Sequence, residues 1–230
     1  MKLFLLGKFQ KIKFLIEYLV SKNFSEPLFI KKYIKEGSVI VDIGSNVGSF
    51  IDSINRFDNN YFFHSIEPNL ELIKYQKKKY RKLKRINFYN LAISNKGGES
   101  PFYIRTPSSH SSLKEEHIDS EFNNEVSIKK VKTLALATFV KSENITKIDL
   151  LKIDTEGSEI DILESSKNLI KSGLIKYIKI EATSSAINSI FEFAKKTDLK
   201  VIGVNNIFHF ENTFNFFDLY LENTNIKHNE

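Results

Sequence analysis

VIVDIGSNVGSF, Val39 to Phe50, decides how the rest of the chain is read. Val39, Ile40, Val41 and Ile43 make an apolar run without polar alternation, the pattern of a strand covered on both faces in the middle of a parallel sheet. Gly44 and Gly48 follow, and without a Cβ they let the backbone turn tightly and come close to a bound ligand. Beyond them Val47, Phe50, Ile51 and Ile54 recur at helical spacing, so the turn opens a helix whose free N–H groups face that ligand. Strand, loop and helix in this order form the crevice in which doubly wound sheets bind nucleotides.

Working outward, the next acid to close an apolar run is Glu67 in YFFHSIEPN, about twenty residues on, where a carboxylate suits the hydroxyls of a ribose. Pro68 then ends the strand, having no N–H for the ladder. A dinucleotide loop wants glycine where this chain has Asn46, and no lysine followed by Ser or Thr closes a phosphate-cradling loop. What remains is Asp42 before the turn, Gly-x-Asn-x-Gly from Gly44 to Gly48, and Glu67 one strand later. These resemble the first motifs of class I S-adenosylmethionine-dependent methyltransferases.

A second stretch sharpens the resemblance. IDLLKIDTEGSEIDIL, Ile148 to Leu163, is similar to the signature of the FkbM-type methyltransferase family, close to DLLKIDVEGAE. EPN at Glu67 to Asn69, NLAIS at Asn90 to Ser94 with Gly97 and Gly98, Ser-Ser-Leu at Ser111 to Leu113, and VKTL at Val131 to Leu134 follow the family's order, from 38 to 183. The resemblance implies a three-layer Rossmann-like α/β fold, with a seven-stranded, mostly parallel sheet and an antiparallel last strand. It implies that S-adenosyl-L-methionine is held by Asp42, Gly44, Ser45, Asn46, Gly48, Glu67, Pro68, Asn69, Leu91, Ala92 and Asp154. The acceptor it implies is a hydroxyl of a sugar, glycan or small metabolite. Asp154, Glu156, Glu181 and His110 are the candidates to remove the hydroxyl proton or polarise it. Two positions depart from the family's pattern: Ala135 stands where it usually has Asp after Thr-Leu, and Leu70 where it usually has Pro after EPN. The first puts in doubt a substrate-positioning or supporting role at that position.

Periodicity predicts strand 38–43, helix 47–57, strand 61–66, helix 69–84 and strand 86–93, then irregular chain over 97–133 with strands at PFYIR and SIKKVKTL. Helix 135–143, strand 148–153, helix 158–171, strand 176–182 and helix 184–196 follow, with VIGVNN and FDLYLEN as closing strands. Strands that alternate with helices predict right-handed crossovers and a parallel sheet. Strand carboxyl ends then put Asp154 on the same rim as Gly44 and Glu67, with Glu181 as a further rim acid. The expected organisation is an N-terminal helical segment, 1–36, packed on a methyltransferase domain, 37–230, that carries a lid or insert near 97–133. Loops that long are usually lids or disordered.

With no cysteine, the chain has no disulfide, thiolate zinc site or cysteine nucleophile. Met1 to Val20 carries lysines too early for a signal peptide and is too interrupted to span a bilayer. It reads as an amphipathic helix with Leu5, Phe9, Ile12, Ile16 and Leu19 on one face, packing on the domain rather than on a membrane. A cytoplasmic protein is the default expectation. The charge of +6 is local: Lys74 to Arg85 holds eight basic residues and no acid, which leaves the remainder at −2. That run reads as a solvated helix face. A nucleic-acid partner is not expected, although a catalytically weakened methyltransferase fold that binds nucleic acid or an anionic surface through this run is the competing reading. His110, Glu115, Glu116, His117 and Asp119 crowd one loop, but nothing fixes their geometry and no metal is expected there.

Overall fold

The computed structural model describes residues 24–57, 60–105, 111–114, 126–183, 186–210 and 213–226, the side chains of 206–210 and 213–215 excepted. In chain order the elements are α1 (Glu26–Tyr33), β1 (Val39–Ile43), α2 (Ser49–Asn55), β2 (Phe62–Ile66), α3 (Leu70–Lys79), β3 (Ile86–Tyr89) and β4 (Ala92–Ile93). Next come β5 (Gly98–Ile104), β6 (Ser127–Leu134), α4 (Leu136–Ser142), β7 (Ile148–Ile153), α5 (Glu159–Ser165) and α6 (Lys167–Lys171). β8 (Ile175–Thr183), α7 (Ile187–Lys196), β9 (Leu199–Phe210) and β10 (Thr213–Asn223) complete the chain.

Seven strands form one sheet in the order β3-β2-β1-β7-β8-β10-β9. β1 lies between β2 and β7 with parallel register, and β10 is antiparallel to both β8 and β9. The sheet is covered on both faces because the strands alternate between two cores. Val41 and Ile43 enter one with Ile66, Leu136, Phe139, Ile162 and Leu219, while Ile40 enters the other with Phe29, Phe50, Ile54 and Tyr220. This is the α/β fold expected, three layers deep. Among the described residues no helix is long and apolar enough to cross a membrane.

Three predicted elements differ. The strand expected over 86–93 breaks at Asn90, whose amide donates to the carbonyls of Glu67 at 3.1 Å and Pro68 at 2.7 Å. β3 stays in the main sheet, and β4 leaves it to pair with β6 in a second, three-stranded sheet β4-β6-β5. The strands expected at PFYIR and SIKKVKTL are present as β5 and β6, which run antiparallel from Gly98↔Thr133 to Ile104↔Ser127. Helix 158–171 is two helices, separated at Ser166, whose hydroxyl donates to the Ile162 carbonyl at 2.6 Å. α3 stops at Lys79 rather than residue 84, because Tyr80 turns its hydroxyl onto the Gly48 carbonyl at 2.6 Å.

One row of polar side chains crosses the buried sheet. Register aligns Ser65 of β2 with Asp42 of β1, Asp42 with Lys152 of β7, Lys152 with Lys179 of β8, and Lys179 with Tyr220 of β10. Lys152 Nζ lies 3.0 Å from Asp42 Oδ1 and 3.1 Å from Asp154 Oδ2. Lys179 pairs with Asp218 at 3.1 Å and with Glu26, which α1 delivers to the sheet and which also accepts from the Ser53 hydroxyl at 2.6 Å. Buried charges of this kind are tolerated only as pairs, since removing one partner strands the other away from water. Lys152→Met is accordingly expected to cost about 3–5 kcal/mol in urea unfolding. Ala135 is the N-cap of α4 and makes no side-chain cap bond, so Ala135→Asp should raise stability by about 1 kcal/mol in the same assay.

Candidate functional site

The carboxyl ends of β1, β2 and β7 meet at a cavity of about 730 Å³, counting the space open at its mouth. Gly44, Asn46, Glu67 and Pro68 form one side of it, Leu91, Ala92, Ile93 and Phe102 another, and Asp154, Thr155, Glu156 and Glu181 a third. Ser111 and Leu113, from the segment after β5, close part of the mouth.

Gly44 has φ +78°, and a Cβ there would stand 1.7 Å from the Asp154 carbonyl oxygen. Gly48 has φ +81°, and a Cβ would fall 2.6 Å from the Tyr80 ring. Both glycines are thus required by the close approach of this chain to itself, where the sequence had suggested the approach of a ligand. Asn46 takes φ +47°, a left-handed conformation that asparagine tolerates better than most residues, which is how it stands where a glycine was wanted. Its N–H, turned inward, donates to Glu67 Oε2 at 2.9 Å, and the Asn69 N–H donates to Oε1 at 2.8 Å. Burial pushes Glu67 up to about 7 against the pull of those two bonds.

Of the residues expected at the cofactor, Gly44, Asn46, Glu67, Pro68, Leu91, Ala92 and Asp154 line this cavity. Asp42, Ser45, Gly48 and Asn69 stand behind the wall. Asp42 is wholly buried against Lys152, on the sheet face opposite Val41 and Ile43, and burial raises its pKa. Ser45 closes a buried triangle with Ser65 and Gln76, at 2.7–2.9 Å. Asn69 caps α3, its side chain accepting from the Glu71 N–H at 3.1 Å. Of the proton-removing candidates, Asp154, Glu156 and Glu181 come together, their carboxylate oxygens lying within 4.8 Å of one another. His110 falls outside the described residues.

Several residues that shape the rim had no role assigned to them from the sequence. Glu159, buried at the start of α5, accepts from the N–H groups of Thr155 at 2.9 Å and Gly157 at 3.0 Å and from the Thr155 hydroxyl at 2.9 Å. That clamp holds the turn in which Glu156 takes φ +54°. Ser112, fully buried, donates its hydroxyl to the Glu156 carbonyl at 2.6 Å and ties the second sheet to the same turn. Lys152 and Glu159 both lie in the Ile148–Leu163 signature, so spacing could have pointed to them. Ser111–Leu113 had a signal too, the Ser-Ser-Leu match, although nothing in it showed that the segment turns inward to line the cavity.

Crowding sets the electrostatics. Burial, with Asp154 and Glu159 nearby, pushes Glu156 up to about 8, partly offset by Arg105 and Lys152. Burial, with Asp154, Glu156 and Asp218, pushes Glu181 up to about 9. Glu156 and Glu181 keep protons at neutral pH that an unfolded chain would have released. The folded state then binds more protons between about 4.5 and 9, so stability falls as pH rises through that window. Glu181→Gln should flatten the decline in urea unfolding measured at stepped pH.

The chain matches the methyltransferase FkbM domain over residues 42–223. No curated protein matches it. Among solved structures, the methyltransferase FkbM from Methylobacillus flagellatus KT superposes with a TM-score of 0.52 at 12% identity, covering 85% of this chain and 50% of that one. The present chain thus spans half the length of that protein. M. capricolum TrmK, solved with S-adenosyl-homocysteine, gives 0.51 at 15% identity over 87% of this chain and 69% of that one. An rRNA methylase from Streptococcus thermophilus gives 0.51 at 10% identity over 86% and 93%. At such identities these structures speak for a shared methyltransferase fold, whereas the match over 42–223 speaks for descent, and on that match this chain belongs to the FkbM methyltransferase domain family.

Proposed function

We propose that the cavity binds S-adenosyl-L-methionine and that the chain methylates a hydroxyl on a sugar, a glycan or a small metabolite. The observation that carries the cofactor reading is Glu67. Each of its oxygens takes one backbone N–H, which leaves acceptor capacity on a carboxylate lining the cavity, as two vicinal ribose hydroxyls require. Ile66, Leu91 and Ile93 supply an apolar wall suited to a purine, and the acids at the other end suit a positively charged group.

When bound, the cofactor supplies an electrophilic methyl group on a positively charged sulfur, open to in-line displacement. The chain's own task is to hold an acceptor hydroxyl in line and take its proton. Lys152 ties down Asp154, which makes it a fixed acceptor for orienting a ligand. Glu156 and Glu181 carry the proton-accepting role. With pKa values near 8 and 9 they match a base working close to neutral pH, and a cationic ligand beside them draws both down.

Calorimetric titration with S-adenosylhomocysteine should show saturable binding. Glu67→Ala should weaken it about a hundredfold, the cost of two hydrogen bonds to a charged group. Unchanged affinity would remove the ribose assignment. Glu181→Gln and Glu156→Gln should leave that affinity within a few-fold and lower turnover once an acceptor is in hand.

A further inference from the structure

We propose that the surface running from β6 across α3 to Arg85 is a docking face for an anionic lipid bilayer. All eight basic residues between Lys74 and Arg85 are exposed. Lys74 is paired with Glu71 at 2.9 Å and Lys79 with Asp52 at 2.6 Å, while Lys77, Lys78, Lys82 and Lys84 make no ion pair among the described residues. Glu71 is held below the usual carboxylate range chiefly by Lys74 and to a lesser degree by Lys129, which sets that β6 lysine near the start of α3.

Charge alone would describe a solvated helix. What changes the reading is the apolar material set among the cations. Leu70 and Tyr75 on α3 are 47% and 49% exposed. Val47, also exposed, sits on the glycine loop, where Lys79 Nζ lies 3.5 Å from its carbonyl. A phosphodiester backbone offers aliphatic side chains nothing, whereas a bilayer takes cations at its headgroups and apolar groups just beneath them. Val47 directly follows cavity-lining Asn46, and Leu70 lies two residues past cavity-lining Pro68, so the face borders the cavity. Docking there would present the cavity to acceptors borne on the lipid surface, a consequence that rests on the transferase reading. The docking itself does not.

Sedimentation with vesicles of mixed phosphatidylcholine and phosphatidylglycerol tests the proposal, with pure phosphatidylcholine vesicles and a mixed-sequence RNA as the other arms. The chain should pellet with the anionic vesicles at about 0.1 M salt and not with the neutral ones. Lys77→Gln, Lys78→Gln and Lys82→Gln together should weaken partitioning roughly a hundredfold, about fivefold per cation. Leu70→Ser with Tyr75→Ser should weaken it at unchanged charge. No pelleting with anionic vesicles overturns the proposal. So does indifference to either set of substitutions, or binding to the RNA tighter than to the vesicles. S-adenosylhomocysteine titration of the same variants should match the unsubstituted chain. If the unsubstituted chain binds vesicles but not S-adenosylhomocysteine, the cofactor reading fails and the docking face stands.

Discussion

The ammonium of Lys152, shut between the carboxylates of Asp42 and Asp154, is the contact on which the rest of the site depends. Neither charge could remain buried alone, since the desolvation of one is offset only by the other. The pairing fixes the relative height of β1 and β7, and with it the place where Gly44 crosses the Asp154 carbonyl with no room for a Cβ. Asp42 therefore acts from behind the cavity wall. Its carboxylate holds the lysine, and the lysine holds the rim acid.

Further along the row the same logic sets the chemistry. Lys179 is neutralised by Asp218 and by Glu26 from α1, so relief for the rim acids comes from Lys152 and, at Glu156, from Arg105. Carboxylates thus outnumber the cations around the rim, and the surplus emerges as protons retained there. The turn that carries Glu156 is left-handed and clamped by Glu159, so this proton-holding group is positioned by backbone geometry as well as by charge. Ser112 adds a tie from the second sheet, which makes that sheet part of the site.

Ala135 illustrates how a departure from a family pattern acquires meaning only in place. It opens α4 at a position where a side chain would cap the helix. One cost of the alanine is thus an uncapped helix start, and the three rim acids come together without it.

Much was legible in the residues alone. The buried run Val39–Ile43, the turn after it and Glu67 at the next strand end follow rules of periodicity and spacing that are local, and with the family resemblance of the signature around Asp154 they were enough for the sheet, the rim and the order of its acids. What folding alone decided is which atoms meet. Strand alternation sends Asp42 to the face away from the cavity, register places Lys152 beside it, and the break at Asn90 hands β4 to a second sheet that closes the mouth. Those outcomes depend on contacts between residues about a hundred positions apart, such as Asp42 and Lys152 or Gly44 and Asp154. No local pattern encodes them, because they exist only once the strands have been laid side by side.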